Sequence, residues 1–330
     1  MNSEPVLPGR VDLPFVGIPS FLRSKVINPG EDFNAELAVF GAPTDEGSPF
    51  FPGSRFGPRA LREHSLRFVS SEPGYFDPNR NRSYLTREMR DGLIADLGDA
   101  DIISTNIISS FDSITALTSR ILAKGAVPVV LGGDHAISYP VVRAYERPLY
   151  VMHFDAHLDY MPFVHGTSMT NQHAFRHIAH MQHVQGLVQV GIRSLRNTEC
   201  MWRDTVGDGN QVVTMAKFRQ IGPQAVAQLI PRGADCYVSL DIDVLDLPLV
   251  PGCVSAEPDG LSYGELRETL IALTEQSRIV GFDLVEVNPM LDVGTGITAY
   301  LGAHTIIEFL GHLCDSDIWR SDSLRKNHVS

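Results

Sequence analysis

A mostly parallel β-sheet covered by helices on both faces is the fold class the sequence predicts. Three observations predict it. Short apolar runs, β-branched or aromatic, recur along the chain, each bounded by Gly, Asp or a turn. Segments with apolar residues at helical spacing lie between them. Acidic and histidine motifs stand where the apolar runs end, which is where open α/β folds bind their ligands.

In chain order, residues 1–35 are rich in Pro and Gly and read as an irregular arm. Residues 36–330 read as one domain, because no linker, fixed-period repeat or low-complexity block divides them. The runs Leu37–Gly41, Val127–Leu131, Leu149–Phe154, Leu187–Ile192, Tyr237–Leu240 and Ile279–Val285 have the length and continuity of strands buried on both faces. Phe111–Lys124 is apolar at helical spacing and stops before Gly125. Gly222–Ile230, Ser262–Glu275 and Ile297–Leu313 also read as helices, the second opened by a Ser262/Glu265 capping box. The polar tail from Ser321 reads as frayed.

The chain has 330 residues, enough to bury a sizeable core. Its 43% hydrophobic and 20% charged content argues against disorder. A net charge of −12 makes nucleic acid and anionic membrane surfaces poor partners, since both call for basic patches. No run approaches the roughly 20 apolar residues of a membrane helix, and the N-terminus lacks a secretory pattern, so the expected location is the cytoplasm. Cys200, Cys236, Cys253 and Cys314 include no CxxC pair and are expected to be reduced thiols.

Three motifs carry the chemistry. Gly132-Gly133-Asp134-His135 follows the second run, His153-Phe154-Asp155-Ala156-His157-Leu158-Asp159 ends the third, and Ser239-Leu240-Asp241-Ile242-Asp243 ends the fifth. In an extended chain, side chains two apart point the same way, so Asp155, His157 and Asp159 converge, as do Asp241 and Asp243. His135 adds a sixth group from another strand end. A single acid at a strand end is usually a cap, but four carboxylates brought together cannot all ionise without a cation among them. Two His and four Asp suit Mn²⁺ or a similar divalent ion better than structural Zn²⁺, and six ligands fit two ions sharing carboxylates. His153 shares the parity of Asp155 but lies one pleat deeper, and reads as a hydrogen-bonded core histidine.

These residues resemble the ureohydrolase (arginase/agmatinase) family, agmatinase-like branch. The likeness runs from about Glu36 to Leu313 and rests on GGDHAIS (132–138), HFDAHLD (153–159), SLDIDVLD (239–246), VEVNP (285–289) and the block GAPTDEGSPFFPGSRFGPRALREHS (41–65). It implies a three-layer α/β/α sandwich. It implies one metal on His135, Asp155, Asp159 and Asp241 and another on Asp155, His157, Asp241 and Asp243. The ions would be Mn²⁺, with Ni²⁺ or Co²⁺ as alternatives. It further implies that His165 shuttles protons, that Glu286 faces a guanidinium, and that the chain forms a homo-oligomer, a trimer or hexamer. The expected reaction is hydrolysis of a small guanidino compound by metal-activated water, with Asp159 passing a proton to the leaving nitrogen, to give urea and an amine.

The chain departs from the agmatinase pattern in two places. Val254-Ser255-Ala256 replaces Gly-Thr-Pro and is reminiscent of formimidoylglutamases; the adjacent Cys253 reads as a buried thiol. Around His165 the loop has no agmatinase counterpart, which makes Met169, Asn171 and His173 candidates for the substrate's distal end or for loop packing. No polar pattern for an α-amino acid head follows HFDAHLD, which favours agmatine, a guanidino acid or a small guanidine over arginine. Other readings stay open: a formimidoylglutamase-like hydrolase, a zinc deacetylase of related fold, and a catalytically silent subunit, the last weakened because every ligand position is filled.

Overall fold

In the computed structural model, which describes residues 13–28, 30–70 and 72–326, nine parallel strands form one sheet. In chain order they are β1 (Lys25–Val26), β2 (Leu37–Ala42), β5 (Ile94–Asp99), β6 (Val127–Gly132), β7 (Leu149–Phe154), β8 (Val184–Ile192), β9 (Gln211–Thr214), β10 (Asp235–Asp241) and β11 (Arg278–Val285). A separate antiparallel hairpin pairs β3 (Tyr75–Asp77) with β4 (Arg82–Tyr84). The helices are α1 (Gly57–Ser65), α2 (Thr86–Arg90), α3 (Ile107–Ala123), α4 (Ser138–Val142), α5 (Ala174–Ala179), α6 (Glu199–Gly207), α7 (Met215–Ala227), α8 (Tyr263–Gln276), α9 (Ile297–Asp315) and α10 (Asp317–Lys326).

Strand interiors are apolar on both sides because each side meets a helix layer. Along β2, Leu37 and Val39 enter one core and Ala38 and Phe40 the other. The first core is closed by α1, α7, α8 and α9, the second by α3, α4 and α5. The three-layer expectation therefore holds, with a sheet that is wholly parallel.

All six expected strands and all four expected helices are present, and the differences have local causes. β5 carries Asp96 and Gly98, which mask its apolar pattern; Asp96 is buried and satisfied from outside the strand. In α7 the backbone breaks at Gly222 (φ +75°) before Pro223, so the expected helix from Gly222 matches only its second half. Ser262 caps α8 with the reciprocal Glu265 bond. Of the 1–35 arm, residues 1–12 lie outside the described residues, and Lys25–Val26 add a strand to the sheet edge. The tail read as frayed is helical to Lys326, with Asp322 3.3 Å from Arg278; residues 327–330 lie outside the described residues.

Strand order is β1-β5-β2-β6-β11-β10-β7-β8-β9. β6 and β7 follow each other in the chain, yet β11 and β10 lie between them. This reversal opens a crevice above the carboxyl ends of four adjacent strands, the place where open α/β sheets take ligands.

One buried ion pair fastens a helix layer to the sheet at β5. Arg62 of α1 makes two bonds to Asp96 of β5, at 2.8 and 2.9 Å, and a third to Asp99 at 2.7 Å. Asp96 also accepts the Phe21 N–H at 2.8 Å, tying in the arm. Replacing Arg62 by Ala strands a buried carboxylate, and denaturant unfolding should show a loss of about 3–5 kcal/mol.

Candidate metal centre and active site

The site is built from the ends of β6, β7, β10 and β11. After β6 the chain passes against β2: a Cβ on Gly133 would lie 2.4 Å from the carbonyl oxygens of Ala42 and Thr44, so only glycine fits. The next two residues are Asp134 and His135. Asp134 Oδ2 accepts the Gly47 N–H at 2.8 Å and holds the 41–65 block over the site.

The convergence expected from strand alternation is real but arises in the turns. β7 ends at Phe154, and Asp159 reaches the cluster through a left-handed backbone (φ +47°). β10 ends at Asp241, and Asp243 comes back in a 3₁₀ turn whose N–H donates to Asp241 Oδ1 at 2.8 Å. Glu286, just past β11, is also left-handed (φ +64°). Backbone of this kind in non-glycine residues gathers where a site demands it.

His135 Nδ1 lies 3.0 Å from Asp155 Oδ2, 3.2 Å from Asp241 Oδ2 and 3.3 Å from Asp159 Oδ2. His157 Nδ1 lies 3.1 Å from Asp155 Oδ1 and 3.1 Å from Asp243 Oδ2. Asp155 therefore presents one oxygen to each histidine. All of these side chains except the half-buried His157 are buried. His135 Nδ1 has no hydrogen-bond partner despite complete burial, although three carboxylates surround it. An orphaned ring nitrogen amid carboxylate oxygens fits a divalent cation: the donor set is hard, with two imidazoles.

The electrostatics agree. Burial raises Asp241, helped by Asp243 and Asp155. Burial and Asp155 raise Asp159. Burial also opposes ionisation of Asp155, but the facing imidazoles of His135, His153 and His157 prevail and hold it well below the usual range. His135 and His157 are raised: burial disfavours their charge, and the facing carboxylates outweigh it. Protons here hold together what cations would hold otherwise.

His153 is the core residue expected. Its Nε2 faces Asp155 at 2.9 Å, Gln189 donates to its Nδ1 at 3.0 Å, and its ring stacks on Phe175. Burial pushes it down to about 4, which keeps it neutral. Cys253 is buried, its Sγ near Asp241 and Asp243, and burial pushes its thiol up; all four cysteines are free.

Glu286 Oε1 accepts the His135 N–H at 2.9 Å and the Asn171 side-chain amide at 3.3 Å, and burial raises its carboxyl. Glu286 and Asn171 line a cavity of about 110 Å³ with His157, Asp159, Asp241, Pro49, Phe50, Met161, Gln172, Arg196, Asn197, Met201, Val254 and Ser255. Three other expected residues are not on its wall. His165 is exposed at a turn tip (φ +55°) where Val164 O accepts the Thr167 N–H. The Val164–Thr167 bridge holds it out, and a relay role would need that turn to fold inward. Met169 packs on the second core, and His173 is buried against Thr170 and Phe163. Arg196 and Asn197 escaped the sequence reading. Their one signal is position: they follow Ile192, the last residue of β8. A larger hollow, about 690 Å³, lies at the amino ends of β6 and β11, where Arg147 and Arg278 already pair with Asp235. No helix among the described residues is long and apolar enough to cross a membrane.

A parallel sheet converging on a buried cluster of two histidines and four aspartates able to hold metal defines a metal-site hydrolase class. The chain belongs to the arginase family, whose model matches residues 35–311, and is a hydrolase acting on amidino C–N bonds. It is 31% identical to the agmatinase of Bacillus anthracis over 264 residues, covering 78% of this chain and 85% of that one. It is also 31% identical to the guanidinopropionase of Pseudomonas aeruginosa, covering 96% and 98%. The solved proclavaminate amidino hydrolase of Streptomyces clavuligerus superposes with a TM-score of 0.80 at 30% identity, covering 91% of this chain and 98% of that one.

The raised His135, His157, Asp159 and Asp241 stabilise the metal-free fold while protonated and lose that contribution as pH rises through their folded-state values. Cations replace those protons. The gain in melting temperature on Mn²⁺ loading, read by scanning fluorimetry against a chelator, should therefore widen from about pH 6 to about pH 8.5. Equal midpoints with and without metal at both pH values would contradict this.

Proposed function

We propose that this chain hydrolyses a C–N bond of a small guanidino compound, releasing urea and an amine, with two divalent cations, Mn²⁺ first and Ni²⁺ or Co²⁺ as alternatives. The observation that carries the reading is the orphaned His135 Nδ1 facing three carboxylates beside a further buried carboxylate, Glu286. His135, Asp155, Asp159 and Asp241 would hold one ion, and Asp155, His157, Asp241 and Asp243 the other. When bound, the ions supply acidification of water, so that a nucleophile exists near neutral pH.

The chain's own residues do the rest. Glu286 is held by His135 and Asn171, and a planar guanidinium is the partner that would return its buried carboxyl to the charged form. That pairing would orient the reacting carbon and exclude water from one side. Asp159 lies at the cavity wall with its carboxyl raised by burial, which suits it to hold a proton and pass it to the departing nitrogen. The small cavity admits a short chain.

A second reading has one observation in its favour. Ser255, in the Val254-Ser255-Ala256 departure, donates to Asp243 Oδ2 at 3.1 Å, so a residue that departs from the agmatinase pattern touches the site. A formimino substrate would release formamide in place of urea.

Urea release by the metal-loaded protein is the direct test. Asp159→Asn should lower kcat by about 10²–10⁴-fold with little change in KM, and Glu286→Gln should lower kcat/KM without removing bound metal. Unchanged turnover in both variants would sink these roles.

A further inference from the structure

We propose that Arg196 binds the substrate's distal end and that this end is a carboxylate, so the chain takes an ω-guanidino acid in preference to agmatine. The inference rests on the hydrolase reading above and adds the substrate's second charge.

The argument starts from charge on the cavity wall. Asp159, Asp241, His157 and Glu286 are claimed by the cation cluster and the guanidinium. Among the other described lining residues, Arg196 is the one that carries charge. Agmatine ends in an ammonium, which would meet this guanidinium with no carboxylate on the wall to receive it. Like charges brought together at a binding surface suppress the wrong partner. A carboxylate meets the fork that arginine presents, and such charge-assisted pairs are the strong ones. Glu257, off the cavity lining, pairs with Arg196 at Nε (3.3 Å) and accepts from Ser194 Oγ at 2.6 Å, which leaves the Nη groups as what Arg196 offers to a ligand.

Arg196 is positioned by the site itself. Asn197 accepts the Leu158 N–H at 2.9 Å and donates to Ala156 O at 3.2 Å, which staples the loop after β8 to the loop after β7. Arg196 Nη2 thereby comes within 2.6 Å of His157 Nε2 and 3.1 Å of Ser255 O. When His157 offers Nδ1 to a cation, its Nε2 carries the proton and faces Arg196 donor to donor. Glu257 Oε1, 3.5 Å from that nitrogen, is the acceptor at hand. One Nη2 hydrogen keeps Ser255 O, the other then needs a new acceptor, and the cavity is beside it.

The experiment compares 3-guanidinopropionate, 4-guanidinobutyrate, agmatine and the uncharged-tail propylguanidine as sources of urea, using the metal-loaded full chain and its Arg196→Gln and Arg196→Lys variants. One guanidino acid should exceed agmatine by about tenfold or more in kcat/KM. Arg196→Gln should raise KM for that acid with the smaller change in kcat, so that its advantage over propylguanidine falls about tenfold, and Arg196→Lys should restore part of it. Preference of the wild type for agmatine, or an equal loss in Arg196→Gln on the acid and on propylguanidine, would overturn the proposal. If no compound releases urea, the urea-forming reading fails by itself. Calorimetric titration of 4-guanidinobutyrate and agmatine into wild type and Arg196→Gln still decides the carboxylate: tighter acid binding that needs Arg196 supports it, and equal or reversed affinities refute it.

Discussion

Asp155, Asp159, Asp241 and Asp243 end beside one another, buried, at the carboxyl end of a sheet, and charge of one sign in such a place must be balanced. In the metal-free chain His135 and His157 do the balancing, each within about 3 Å of two or three carboxylate oxygens. The rest of the architecture serves that concentration of charge. Four neighbouring strands have to be parallel for their carboxyl ends to meet, and both faces of the sheet have to be covered for the ends to be dry.

Beneath the cluster a second set of polar groups fixes the direction of the first. His135 Nε2 is 2.9 Å from Ser239 Oγ, which donates to Asp283 at 2.7 Å; Ser138 and Tyr237 donate to the same carboxylate at 2.8 and 2.6 Å. Asp283 is wholly buried, and burial raises its carboxyl. With Nε2 engaged below, Nδ1 of His135 is left to face the acids. His153 does the same for Asp155 from the β7 side. Supporting bonds of this kind set a ligand's tautomer and ring angle as firmly as the metal does.

Function is distributed unequally over this frame. The groups that would meet cations and the guanidinium come from the ends of central strands and the turns just past them, and nearly all are buried. The groups that would choose among substrates come from loops around the rim, where Arg196, Asn197, Phe50 and Ser255 meet the cavity. A family can keep one chemistry and change its substrate by editing the rim alone. The departure at Val254-Ser255-Ala256 and the Arg196 placement are both rim features.

By itself the sequence determined six of the nine sheet strands and the cluster, because buried parallel strands must be apolar on both faces and a polar group at their ends has to serve a purpose. Asp155 and Asp241 were legible for that reason: each interrupts an apolar run just where the run must stop. β5 was not, since Asp96 looks like a break until Arg62 arrives from a helix 34 residues earlier. Tertiary structure alone decided the rest. Chain order places β6 next to β7, and only non-local pairing inserts β11 and β10 between them and so brings Glu286 to His135. It likewise set Arg196 against His157 and left His165 outside at a turn tip. A side chain's charge is written in its own residue type, but the charges it faces are set by packing between segments far apart in the chain.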